Sequence, residues 1–149
     1  MKKIFIIGLL VISVFLITGC NKSNEIKSDI VSFKYYYGSG EGSIYEYTLS
    51  LKEDKVVFTA KGYNDVNLNI EKEIDKSYLK ELANIINENK IYEWNGFNKH
   101  NKDVLDGYGF YLEVNYENGE VITSNGYMEY PKNYDKSHIV LTDFLESIE

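Results

Sequence analysis

Two histidines, one cysteine and 23 carboxylates are the groups with reactive chemistry in this 149-residue chain. With only His100 and His138 available, a histidine-rich zinc centre is impossible, although mixed histidine and carboxylate ligation stays open. His138 follows Ser137, yet a hydroxyl nucleophile needs a base that is itself oriented by a third group, and the sequence signals none. The plainer reading makes His138 a first-turn helix residue. Asn98, Asn101, Asp103 and Asp106 offer hard oxygen ligands in the stretch Phe97-Asn-Lys-His-Asn-Lys-Asp-Val-Leu-Asp-Gly107. Their spacing departs from the Asp-x-Asp-x-Asp-Gly loop with its distal Glu, and Lys99 and Lys102 dilute the charge. Asp103 and Asp106 are therefore weak calcium candidates, and Asp106-Gly107 reads first as a turn. A carboxylate pair such as Glu113 with Asp103 has the chemistry to hydrolyse a glycosidic bond, but no spacing selects one pair over another. Gly38-x-Gly40-x-Gly42 lacks the following helix that a phosphate cradle requires, and reads as a hairpin loop. No catalytic residue, metal or cofactor is assigned from these patterns.

The segment best suited to making contacts is Gly126-Tyr-Met-Glu-Tyr-Pro-Lys-Asn-Tyr134, which holds Tyr127, Tyr130, Tyr134 and the sole proline, Pro131. Tyrosine offers a broad flat face and a hydroxyl at small entropic cost, as sugar rings or protein surfaces require. Pro131 restrains the connection, and its bond to Tyr130 is a candidate for the cis form. Against the binding reading stands simple closure of the core by these rings. The same two readings apply to Tyr36 and Tyr111, which alternation puts on the solvent face of their strands.

The elements that must position these groups are legible from periodicity. Val31, Phe33, Tyr35 and Tyr37 alternate with polar residues, as do Tyr45, Tyr47, Leu49 and Leu51, so two strands flank the glycine-rich loop. Residues 56–61 and then Val66, Leu68 and Ile70 extend this to a four-stranded meander. The period next changes to a helix over about residues 76–89, with Leu79, Leu82, Ala83 and Ile86 on one stripe and Asp75 as cap. Trp94 and Phe97 are expected to seal the core after it. Tyr108, Phe110, Leu112, Val114 and Tyr116 form the inward face of a hairpin strand. Asn118-Gly119, read as a type I′ turn, would set Tyr116 against Val121 and Leu112 against Asn125, with a bulge or strand end near Asn125-Gly126. A last helix follows, with Asp135 as cap, Tyr134 and Ile139 as staple, and Leu141, Phe144, Leu145 and Ile148 as stripe. The order ββββ-α-ββ-α predicts an α+β domain: an antiparallel sheet of about six strands with two amphipathic helices on one face. Its other face, with Ser32, Lys34, Tyr36, Glu46, Thr48, Ser50, Tyr111, Glu113 and Asn115, should meet water.

Ahead of this domain, Met1-Lys2-Lys3 precedes an apolar run from Ile4 to Ile17, too short before polar Asn21 for a comfortable spanning helix, and best read as an export leader. Leu16-Ile17-Thr18-Gly19-Cys20 then resembles the lipobox of bacterial lipoproteins. That resemblance implies cleavage between Gly19 and Cys20 and a diacylglyceryl thioether on Cys20, whose two chains provide the double anchor that stable membrane attachment needs. Residues 1–19 are thus expected to be a signal peptide, 20–29 a lipidated, solvated tether reaching about 30 Å, and 30–149 one domain on the extracytoplasmic face of the cell membrane. Cysteine-dependent redox and metal chemistry is excluded for such a mature chain. The net charge of −7 becomes −9 once Lys2 and Lys3 leave, and every basic residue is lysine. Nucleic acid is accordingly not an expected partner.

Trp94-Asn-Gly-Phe97, Val104-Leu-Asp-Gly107 and Gly126-Tyr-x-x-Tyr-Pro-x-Asn-Tyr134 are similar to segments of small, uncharacterised lipoproteins of clostridia-like, low-GC Gram-positive bacteria, a resemblance that implies no activity. The sequence points to a binding or interaction module of unknown ligand, with an envelope protein or a glycan as candidate partners. A carboxylate hydrolase and a purely structural envelope protein are the alternatives.

Overall fold

The computed structural model describes residues 27–64 and 66–149. Gly19, Cys20, the leader and most of the tether lie outside them. Within the described residues no helix is long and apolar enough to cross a membrane.

The fold is α+β. Strands β1 (Ile30–Ser39), β2 (Ile44–Lys52), β3 (Lys55–Tyr63) and β4 (Asn69–Ile74) precede helix α1 (Ser77–Glu88) and a short 3-10 turn at Ile91–Trp94. Strands β5 (Asn98–His100), β6 (Tyr108–Tyr116) and β7 (Val121–Tyr127) lead to helix α2 (Tyr134–Ser147). All seven strands share one sheet in the order β4-β3-β2-β1-β6-β7-β5. The meander and the later hairpin meet where β1 pairs antiparallel with β6. β5, absent from the six-strand expectation, pairs parallel with β7 through Asn98, Lys99 and His100. Three exposed polar residues carry no alternating signal, so the backbone pairing alone defines this strand.

One face of the sheet is the core. Phe33, Tyr35, Tyr47, Leu49, Phe58, Leu112 and Ile122 are buried there together with Leu79, Leu82 and Ile86 of α1 and Leu141, Phe144, Leu145 and Ile148 of α2. A bulge at Val31 shifts the β1–β6 register between Ile30 and Ser32, which lets Ile30 join Phe33 inside. Trp94, 1% exposed, packs edge-on to Phe110 at 5.8 Å.

Four local expectations need correction. The β6–β7 register is one residue off the type I′ assignment: Val114 faces Ile122, Leu112 faces Ser124 and Tyr111 faces Asn125. Only Gly119, at φ 85°, is left-handed in that turn, and the bonds Gly119 N–H to Tyr116 O (3.0 Å) and Tyr116 N–H to Glu120 O (3.0 Å) close a three-residue loop with a bulge at the glycine. The awkward Leu112–Asn125 pairing therefore does not arise, and β7 continues to Tyr127 without a break at Asn125-Gly126. The fourth strand is displaced to Asn69–Ile74. Helix α2 starts at Tyr134 behind Asn133, at φ 63°, so Tyr134 turns into the core and Ile139 stays 57% exposed without serving as a staple. The Tyr130–Pro131 peptide is trans, since no cis bond occurs among the described residues.

Candidate functional site

Strand register decides which side chains share the open face of the sheet. Tyr36, Tyr111, Asn125 and Asn98 lie in one row across β1, β6, β7 and β5, and Gly38, Gly109, Tyr127 and His100 lie in the next. The sheet thus has a bare patch at Gly38 and Gly109, flanked by aromatic rings. Two hollows meet at this pair of glycines. On the open face, Tyr36, Tyr111, Tyr127 and His100 line a hollow of about 280 Å³. At the sheet's end, beside the start of α2, Tyr37, Tyr108, Tyr130, Tyr134, Asp135 and His138 line another of about 240 Å³.

The expected contact residues Tyr36, Tyr111, Tyr127, Tyr130 and Tyr134 therefore converge on one rim, though they come from three strands, a connection and a helix. Pro131 lines neither hollow; its carbonyl accepts from the Tyr134 amide at 3.2 Å and so helps begin α2. The rings differ in role. Tyr127 is a staple: its hydroxyl accepts from the Gly107 amide at 2.6 Å and donates to the Leu105 carbonyl at 2.7 Å, while His100 stacks on its ring at 4.6 Å. Tyr130 donates to the Tyr108 carbonyl at 3.1 Å, and Met128, in the left-handed region at φ 52°, receives the Tyr108 amide on its sulfur at 3.2 Å. Tied hydroxyls leave the ring faces to be presented in a fixed geometry, which lowers the entropic cost of any contact they make.

Sequence reasoning did not find the polar centre of the inner hollow. Tyr35, fully buried, places its hydroxyl 2.7 Å from Nδ1 of His138 and 3.2 Å from the Tyr134 hydroxyl. Burial, reinforced by neighbouring Tyr134, raises the Tyr35 phenol well above its ordinary value, and burial holds the His138 imidazole below its own, against an opposing pull from Asp135. Tyr134, Tyr35 and His138 thus form one continuous hydrogen-bonded chain, in which each phenol can give or take a proton. The Nε2 edge of the imidazole has no hydrogen-bond partner among the described residues. Tyr134 and His138 are one helical turn apart on α2, so their rings stack, at 5.3 Å and 6°. Tyr130 continues the column at 4.6 Å from Tyr134. Burial also pushes the half-buried Tyr37 phenol up to about 12, and its ring meets His138 edge-on at 4.8 Å.

Tyr108 departs from expectation as well. Alternation assigns it to the inward face, yet it is 62% exposed. Of the seven large hydrophobic side chains exposed among the described residues, Tyr108 and Tyr130 line the inner hollow, Met128 receives the Tyr108 amide on its sulfur, and Leu105 adjoins Tyr127 through its carbonyl.

On the rest of the open face the polar groups satisfy one another. Tyr111 donates to Glu113, Asn115 Nδ2 donates to Glu113 Oε1 and Ser32 Oγ at 2.9 Å each, and Lys34 pairs with Glu46 at 2.8 Å. The Tyr111 hydrogen bond, then that of Asn115, lowers the Glu113 pKa. Glu113 is engaged as an acceptor, and no contact joins it to Asp103, which is exposed and takes the Asn101 side chain on its amide at 3.0 Å. Asp103 and Asp106 converge on no metal-sized cluster; no group of three or more histidine or carboxylate ligands occurs among the described residues.

No protein-family model matches the chain, and no curated protein matches it.

Proposed function

We propose that the chain is a lipid-anchored, extracytoplasmic binding module, moored by a diacylglyceryl group on Cys20 and presenting the rim around Gly38 and Gly109 to a glycan or envelope protein. The observation that carries this reading is the pair of exposed rings, Tyr108 and Tyr130, lining a hollow that includes Gly38 and Gly109, with exposed Met128 receiving the Tyr108 amide and exposed Leu105 tied through its carbonyl to Tyr127. Exposed aromatic and methionine side chains held by hydrogen bonds at one spot are the composition of a contact surface, whereas isolated exposed hydrophobes carry no such meaning. Placement supports it too. β1 begins at Ile30, beside the tether, and reaches the rim at Gly38, eight residue steps or about 27 Å farther on. A domain held at the first end offers the second to its surroundings.

The test is capture of envelope proteins and wall glycans by the full chain, compared with Tyr130→Ala and with Leu105→Ser combined with Tyr108→Ala. A partner retained by the wild type and lost by both variants supports the module. Turnover of a wall glycan abolished by Glu113→Gln would replace it with the hydrolase reading, and blank results in both assays would favour a structural role.

A further inference from the structure

We propose that the hollow beside His138 takes an uncharged, hydroxyl-bearing ring, a sugar unit of a neutral glycan, an inference that rests on the binding reading above and names its ligand class. The lining supplies three kinds of group. Tyr108 and Tyr130, 62% and 37% exposed, offer flat faces. His138 offers the Nε2 edge of its imidazole, because the Tyr35 hydroxyl at 2.7 Å occupies Nδ1. Asp135, exposed at the start of α2, offers a carboxylate acceptor.

Each competing ligand class leaves one of these unmatched. A purely apolar ring would strip water from the imidazole Nε2 and the carboxylate and return no hydrogen bond to either. An anion would face Asp135 on a chain of net charge −7. A quaternary ammonium suits the aromatic faces and Asp135, yet its charged group gives the imidazole Nε2 no hydrogen bond. A sugar ring stacks its C–H face on tyrosine while one hydroxyl, which can give or accept a proton, bonds Nε2 and another donates to Asp135. The buried Tyr134–Tyr35–His138 chain is what orients the imidazole, and Gly38 and Gly109 are what leave room for the ring.

The full-length chain, in a detergent without a sugar headgroup, is titrated with chitotriose, cellotriose and maltotriose, and with tetramethylammonium and trigalacturonate as charged controls. The readouts are the His138 Nε2 resonance and the fluorescence of Trp94, whose ring lies 5.3 Å from Tyr134. At least one neutral trisaccharide is expected to shift both signals, with affinity reduced roughly tenfold in Tyr108→Ala and in Asp135→Asn. Both residues are exposed, and thermal unfolding verifies that each variant keeps its fold. Silence from all three neutral sugars, affinity unchanged in the variants, or tighter binding of tetramethylammonium or trigalacturonate would overturn the inference. Capture of an envelope protein through Tyr108 with no sugar response would also overturn it while leaving the binding module standing; failure of capture and of sugar together would remove both.

Discussion

Tyr35 shows how a single atom separates packing from chemistry. Its ring is one of the core aromatics, and Phe would fill the same volume, but its hydroxyl links Tyr134 to His138. Tyr35→Phe is therefore expected to cost about 1–3 kcal/mol by leaving the imidazole Nδ1 and the Tyr134 hydroxyl without this partner, measured by urea unfolding at neutral pH. Burial of the imidazole makes stability depend on pH. His138 is held below its ordinary value of about 6.5 by burial. As pH falls, the unfolded chain takes up this proton first; it then binds more protons than the folded chain, so stability rises with pH across that interval. The contribution is complete above about pH 6.5 and is lost as pH falls toward the depressed folded value. His138→Asn, whose amide oxygen stands where Nδ1 stood, should flatten the decline between pH 7 and pH 5. Glu113 and Asp75, also shifted down, act in the same direction, but only below the carboxylate range near pH 4. None of this was legible at residue level. His138 sits between Ser137 and Ile139, and its partner Tyr35 lies 103 positions away, so no local spacing could join them.

At the level of elements, periodicity found the segments whose side chains alternate between core and water, though it set the fourth strand too early, at Val66, Leu68 and Ile70 instead of Asn69–Ile74, and it failed where backbone geometry decides. The stripes of α1 and α2 are buried as their spacing requires, because a helix of that length has one way to hide four apolar residues. The β6–β7 hairpin was legible as a hairpin but not in its register. Asn-Gly serves both a two-residue I′ turn and a three-residue loop with glycine in the left-handed position, and these differ by one residue of pairing. The competing clue was present: Ile122 and Ser124 face the core in the observed register, and an outward Ile122 would have been the cost of the other. Gly119→Ala should thus destabilise by about 1 kcal/mol through its φ of 85°, with cross-strand nuclear Overhauser contacts between Val114 and Ile122 reporting the register. Gly126 is constrained differently. A methyl group there would meet the Glu129 carbonyl and the Phe110 ring, so Gly126→Ala should cost about 1–3 kcal/mol and loosen Tyr130, one wall of the inner hollow.

For the whole molecule, the consequence of the topology is polarity along β1. The described chain enters at residues 27–29, β1 starts at Ile30, and the tyrosine rim surrounds its far end at Gly38 and Ser39. A third hollow, lined by Ile30, Val31, Leu51, Leu79 and Ala83 with Asp29 at its edge, lies at the near end. If Cys20 carries the anchor, the near end is confined to the neighbourhood of the lipid, and the rim stands off by the length of the strand, about 27 Å beyond the tether root. Cysteine scanning can measure this directly, because Cys20 is the sole native thiol and a thioether would consume it. In the full chain reconstituted in vesicles, Tyr108→Cys and Lys27→Cys each introduce one reactive thiol at an exposed position, one at the rim and one at the root. A fluorophore on Lys27→Cys should be quenched by lipids spin-labelled at the headgroup, and the same fluorophore on Tyr108→Cys should be quenched far less. Equal quenching at both positions would mean that the domain lies on its side, with the rim against the bilayer, and would make a soluble glycan the wrong class of ligand. Any thiol reacting in the wild type would show Cys20 unmodified, and would remove the anchor on which the orientation depends.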